Sequence, residues 1–183
     1  MRRNPDQLET KNFDILVIGG GIHGICVARQ AALCGFSVAL IEKTDFGHAT
    51  SANSLKIIHG GLRYLQSADL KNARRSVHAR RGFLQITPHI VKPMKFVIPT
   101  FGCGFHSEKA MYAAMTINNA ISWDRNRGVR KENQIPNSKV ISKRQFETLV
   151  PGVHTDACSG GALWYDGIVL NTERLALELL MEA

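Results

Sequence analysis

Apolar residues recur along the chain in two rhythms, and the switches between them mark the elements. Residues 14–18 (DILVI) form a short apolar run, the pattern of a strand covered on both faces. A glycine turn follows. Then comes a helix whose small face carries Ala28 and Ala32 and which stops at Gly35, and after it a second strand over 37–41. Residues 44–54 are rich in small and hydroxylated side chains and read as a loop, with Ser51 or Ser54 placed to open a helix. A helix is predicted over 67–86, with Ser67 as N-cap and Asp69 in its first turn, and with Pro88 just past its end. Leu70, Ala73, Val77 and Leu84 make its buried stripe; Lys71, Arg74, Arg75, His78 and Arg81 make a solvated face. Residues 92–100 read as an edge strand with prolines at its margins, and 101–105 as a glycine loop. A second long helix is predicted over 107–123, where Met111, Ala114, Met115, Asn118 and Ile121 recur at helical spacing as core positions. After a polar, basic loop over 124–138, Ser142 and Gln145 form a capping box that opens a helix over 142–149, stopped by Pro151 and Gly152. Strand-forming residues over 157–169 are interrupted by glycines. Asn171 then caps a closing helix over 172–183, whose Leu175, Leu179 and Leu180 need a partner surface.

The first of these units carries chemistry. Gly19, Gly21 and Gly24 fall at G-x-G-x-x-G spacing between the first strand and the helix. In such a turn the first glycine allows the tight bend and the second lets backbone approach a pyrophosphate. The third lets the helix pack close on the strand, and the helix end offers free amides and a positive dipole to the phosphates. Glu42 ends the second strand, near the expected interval of about 20 residues, placed to accept hydrogen bonds from an adenosine ribose. Strand, turn, helix, strand and terminal acid together predict a dinucleotide site in an α/β fold. The acid would repel a 2'-phosphate and so disfavours NADP; the motif does not separate FAD from NAD. Further on, residues 56–65 (KIIHGGLRYL) admit two readings: a turn between two apolar pieces, or backbone brought close to a flat ligand by Gly60 and Gly61.

Composition changes this picture little. A chain of 183 residues can bury a real core. Its formal charge of +8 comes from basic residues spread from Arg2 to Arg174, which suits an anionic cofactor, a phosphorylated substrate or an anionic membrane surface as well as a nucleic acid. No nucleic-acid-binding motif is present, and no nucleic-acid partner is expected. Cys26, Cys34, Cys103 and Cys158 lack C-x-x-C spacing and are expected as reduced thiols, with no metal site. Residues 1–12 are a polar tail without the apolar core of a signal peptide, and no run reaches the roughly 18 apolar residues of a membrane span. The expectation is a cytoplasmic protein. Its basic helix over 67–86 and Met-rich helix from Ser107 either pack internally or offer peripheral contact to the inner face of a membrane.

Four blocks in sequence resemble the FAD-dependent glycerol-3-phosphate dehydrogenases, a family within the D-amino-acid-oxidase-like and glutathione-reductase-like flavoproteins. They are FDILVIGGGIHGICVARQAALCGFSVALIEK, ATSANSLKIIHGGLRYL, PHIVKPMKFVIPT and GALWYDGIV. The resemblance covers nearly the whole chain from Phe13, and its K-I-I-H-G-G-L-R-Y block is far more specific than a glycine turn. It implies an incomplete parallel sheet around a Rossmann-like FAD-binding βαβ unit, with the start of an α+β substrate or cap domain. The segments would be a tail (1–12), the N-terminal part of the FAD domain (13–90), an inserted cap segment (91–170) and a helix returning to the FAD domain (171–183).

By the same resemblance Gly19, Gly20, Gly21, His23 and Gly24 line the pyrophosphate loop, and Glu42 and Lys43 stand at the adenosine ribose. Thr50, Ser51 and Ser54 lie along the pyrophosphate and ribityl chain, and Lys56, His59, Gly60 and Gly61 pass the isoalloxazine ring. His59, Arg63 and Tyr64 take the catalytic, substrate-side positions, and a guanidinium there suits a phosphorylated substrate. The implied reaction is oxidation of glycerol 3-phosphate to dihydroxyacetone phosphate, with electrons passed to a quinone or another carrier. His59 is either the base for the hydroxyl proton or a structural contact to the flavin. Ala52 and Leu55 stand where the family usually has serines. Family members are more than twice as long, so the chain is expected to be an N-terminal portion. The competing expectations are an amine- or hydroxy-acid-oxidising flavoenzyme and a catalytically silent cofactor-binding module.

Overall fold

The computed structural model describes residues 5–153 and 156–182. In chain order the elements are α1 (Asp6–Thr10), β1 (Ile15–Ile18), α2 (Ile22–Leu33), β2 (Val38–Ile41), β3 (Ile57–Ile58), α3 (Leu70–Ile86), β4 (Val91–Phe101), α4 (Glu108–Ile121), β5 (Lys139–Ser142), α5 (Lys143–Leu149), β6 (Cys158–Val169) and α6 (Thr172–Met181). By their contacts they divide into two bodies, Met1–Lys56 with Val169–Ala183, and Ile57–Ile168. Ile57 and Ile58 of β3 pair with Ile168 and Gly167 of β6, which draws the chain from residue 57 into the second body.

In the first body β1 and β2 run parallel, with Ile15 opposite Val38 and Ile18 opposite Ile41. Asp14 clamps the start of the pair, its Oδ2 accepting from the amide of Ser37 at 2.8 Å and from its hydroxyl at 2.7 Å. α2 crosses back between the strands, burying Ile25 and Ala28, and α6 packs on it with Leu175, Ala176, Leu179 and Leu180 buried. That supplies the partner surface the leucines of α6 require; Asn171 caps α6 as expected, and Ala183 lies outside the described residues. The expectation that β1 is covered on both faces is corrected. Val17 is buried, but Leu16 is 56% and Ile18 78% exposed, since the two-stranded sheet has its helices on one side only. Residues 46–52 form turns, and no helix opens at Ser51 or Ser54. Within the tail, Asp6–Thr10 make a short helix that buries nothing.

The second body is built on a four-stranded sheet, β3-β6-β4 in hydrogen-bonded order with β5 also paired to β6. β6 is a single continuous strand: its glycines do not interrupt it, because Gly160 and Gly161 lie opposite Ser142 and Ile141 of β5, where backbone and the Phe146 ring occupy the space of any side chain. α4 buries Met111 and Met115, and α5 carries the capping box between Ser142 and Gln145. α3 departs from expectation in three ways. Its N-cap is Asp69, which accepts from the Asn72 amide, rather than Ser67. Leu70 is 54% exposed, and the fourth buried position is Arg80 beside Ala73, Val77 and Leu84. The basic face is not simply solvated. Arg74 and Arg81 converge on the buried carboxylate of Asp124, with closest approaches of 2.5 Å each, and hold its pKa well below the usual carboxylate range. His78 Nε2 stands 3.7 Å from the same carboxylate.

Candidate functional site

Two groups of the residues singled out by sequence are ordered by two different elements of the fold. The first is the turn from β1 into α2. Gly19 takes φ +104°, and its amide donates to Ile41 O at 2.8 Å. The Ile25 amide donates to Gly21 O, so the amides from Ile22 to Gly24 are first-turn donors that point out of the helix end. Ile22 gives its amide to Ser51 Oγ at 3.0 Å, which brings the hydroxyl-rich loop against the turn. A Cβ on Gly24 would stand 1.9 Å from Gly19 O, so only glycine lets the helix start this close to the strand.

Glu42 Oε2 accepts from the Gly20 amide at 2.7 Å and Oε1 from the Thr44 amide at 2.9 Å. These two bonds, the Gly20 amide first, lower its pKa to about 2. The acid is therefore a charged part of the turn, and a carboxylate with two oxygens keeps lone pairs to spare for a ribose hydroxyl. A cavity of about 300 Å³ opens beside it, lined by Ile18, Gly19, Ile41, Glu42 and Lys43 at the carboxyl ends of the parallel strands. His23 is exposed on the first turn of α2 and Thr50 is exposed on the loop. Ser54 Oγ accepts from the Lys56 amide at 3.2 Å. Lys56 holds φ +57°, a left-handed conformation rare for a side-chain-bearing residue, while its carbonyl accepts from Val169.

The second group lies in the other body. His59, Gly60 and Gly61 follow β3, and Leu62–Ser67 form a short 3-10 helix that leaves Arg63 and Tyr64 exposed. Sequence reasoning missed what organises them. Asp166 of β6 is 4% exposed. Its Oδ1 accepts from the Gly60 amide at 2.6 Å and from Arg80 Nη1 at 2.7 Å. Its Oδ2 lies 3.2 Å from His59 Nδ1 and 3.4 Å from Trp164 Nε1. Arg80 also donates to Tyr165 O at 2.6 Å, and burial lowers its pKa despite the neighbouring acid. The guanidinium lies 2.0 Å from where a Cβ on Gly60 would stand, so that glycine is required by the packing of α3 on the loop. A WYDG acid 107 residues from His59 has no local spacing signal; the one signal for Arg80 is its helical phase, three residues after Val77 and four before Leu84.

With this geometry in place, comparison with known proteins decides the family. A family model described as FAD dependent oxidoreductase matches residues 14–183. The chain belongs to the FAD-dependent oxidoreductase family. It is 35% identical over 181 residues to a glycerol-3-phosphate dehydrogenase of Synechocystis sp., a match covering 99% of this chain and 31% of that protein. It is 34% identical over 180 residues to an alpha-glycerophosphate oxidase of Streptococcus pyogenes, covering 97% of this chain and 28% of that protein. The chain thus spans about a third of the length of the curated relatives it matches. Among solved structures, the glycerol-3-phosphate dehydrogenase from Bacillus halodurans complexed with FAD superposes with a TM-score of 0.59 at 22% identity, over 94% of this chain and 24% of that one, which shows the shared fold. FAD is the cofactor of this oxidoreductase family, and the β1–α2 turn fits it: first-turn amides, a close-packed Gly24 and a charged Glu42 are the donors and acceptor its diphosphate and ribose require. Among the described residues, no helix is long and apolar enough to cross a membrane.

Proposed function

We propose that the protein carrying this chain oxidises glycerol 3-phosphate to dihydroxyacetone phosphate. The observation that carries the cofactor half of this reading is the β1–α2 turn, with its outward amides and Glu42 beside the cavity at the strand ends. The glycerol 3-phosphate relatives support the substrate half. FAD, when bound, supplies the acceptor for the hydride that leaves the carbinol carbon. The chain's own residues do the rest. The first-turn amides of His23 and Gly24 hold the diphosphate, and Glu42 accepts from the adenosine ribose. Gly20 and Lys43 support that end, His23, Thr50, Ser51 and Ser54 border the phosphates and ribityl chain, and Lys56, Gly60 and Gly61 pass the ring.

His59 Nε2 takes the hydroxyl proton as the carbinol becomes a ketone; the side chain is 67% exposed, so a substrate can reach it. Arg63, exposed and without an ion-pair partner among the described residues, binds the substrate phosphate, with Tyr64 beside it. Electrons then pass to a quinone or another carrier, and contact with a membrane surface would serve that step. Anaerobic addition of glycerol 3-phosphate to the FAD-loaded protein should bleach the flavin absorbance. Bleaching by amino acids and not by glycerol 3-phosphate would overturn the substrate assignment.

A further inference from the structure

We propose that Asp166 is the positioning residue for His59, its buried carboxylate holding the imidazole with Nδ1 inward and Nε2 presented to substrate. The inference rests on the reading of His59 as the base and adds the residue that makes it one. The two oxygens of Asp166 divide the work. Oδ1 is taken up by the scaffold, accepting from the Gly60 amide at 2.6 Å and Arg80 Nη1 at 2.7 Å. Those bonds fix the carboxylate from behind, with Arg80 supplying a countercharge in a pair whose side chains are each 5% exposed. Oδ2 is turned to His59 Nδ1 at 3.2 Å, and among the described residues its other partner is a long indole contact from Trp164 at 3.4 Å. A brace between loop and helix would need the first oxygen alone.

The chemistry of the pair follows from its donors. A carboxylate offers no hydrogen, so the hydrogen between the two groups sits on Nδ1, and in the neutral ring Nε2 keeps its lone pair. Exposure runs the same way: the carboxylate is 5% exposed and the imidazole 67%, so the buried end is anchored and the free nitrogen is open. When the substrate O–H bond breaks, its proton goes to Nε2 and its electron pair becomes part of the new carbonyl; FAD, when bound, would take the hydride that leaves carbon. The imidazolium so formed carries its charge against Asp166.

Two measurements test the proposal. The first needs no variant: ¹⁵N shifts of the His59 ring in the neutral form should report hydrogen on Nδ1 and a bare Nε2. The opposite tautomer, or an averaged one, overturns the positioning role whatever His59 does in catalysis. The second is the rate of anaerobic flavin bleaching by glycerol 3-phosphate, normalised to bound flavin, in a double-mutant set. His59→Ala should lower it by roughly 100-fold or more. Asp166→Asn should lower it by about 10-fold or more with His59 in place, and by less than about twofold in the His59→Ala background. Equal losses in both backgrounds would make Asp166 a brace and overturn the inference. An unchanged rate in His59→Ala would instead remove His59 as base, leaving the ring shifts to judge the contact. If Asp166→Asn loses its flavin, Asp166→Glu replaces it in the same set with the same expectations.

Discussion

The carboxylate of Glu42 bonds at once to the amides of Gly20 and Thr44, and that double acceptance sets a dependence on pH. Its folded pKa, about 2, lies below the ordinary glutamate value of 4.5. The stabilisation is thus fully present above about pH 4.5 and is lost as the pH falls towards 2. The denaturation midpoint of the native protein should exceed that of Glu42→Gln at pH 6, and the gap should narrow by pH 2.5. A gap independent of pH would mean the charge is not engaged with the turn. At this scale the sequence was informative about Glu42 and Gly24, whose tasks follow from spacing within one βαβ unit. It was silent about Asp166 and about the backbone conformation of Lys56. The partners of Asp166 come from the loop after β3, from α3 and from β6, and no local pattern couples them; the left-handed φ of Lys56 sits at a residue that carries no glycine signal.

Elements were legible wherever periodicity and caps agreed. The capping box of α5, the Asn171 cap of α6 and the Met111/Met115 stripe of α4 all stand where expected. α3 shows where the pattern misleads. Its helical phase admits Leu70, but the chain enters through a turn capped by Asp69 that leaves this first residue outside the packed region, and the core position goes to a charged residue held by Asp166. The consequence can be measured by denaturant unfolding. Leu84→Ala, at a fully buried site, should cost about 2–5 kcal/mol, whereas Leu70→Ala should stay within about 0.5 kcal/mol of the native protein. Comparable losses at both positions would contradict this account of the helix face. The conversion of a supposedly solvated basic face into a cluster on Asp124 has the same origin, since an acid from the loop after α4 cannot be assigned to α3 from sequence spacing.

For the molecule as a whole, the division into two bodies separates the dinucleotide turn from the His59–Asp166 pair along the chain, and the Ile22–Ser51 and Gly60–Asp166 hydrogen bonds each lie within one body. The open face of β1, with Leu16 and Ile18 exposed, was hidden from a sequence reading that takes an apolar run to mean two covered faces. The fold class was readable because a βαβ unit is local, whereas the partition at residue 57 depends on a pairing between β3 and β6 far apart in sequence. The central claim is that the β1–α2 turn holds the flavin dinucleotide. Titration of FAD into the native protein and into Gly24→Val, followed by flavin fluorescence, tests it most directly. The account predicts saturable uptake by the native protein, and loss of uptake in the variant, whose side chain would collide with Gly19 O. Equal uptake by both, or none by the native protein, would contradict it.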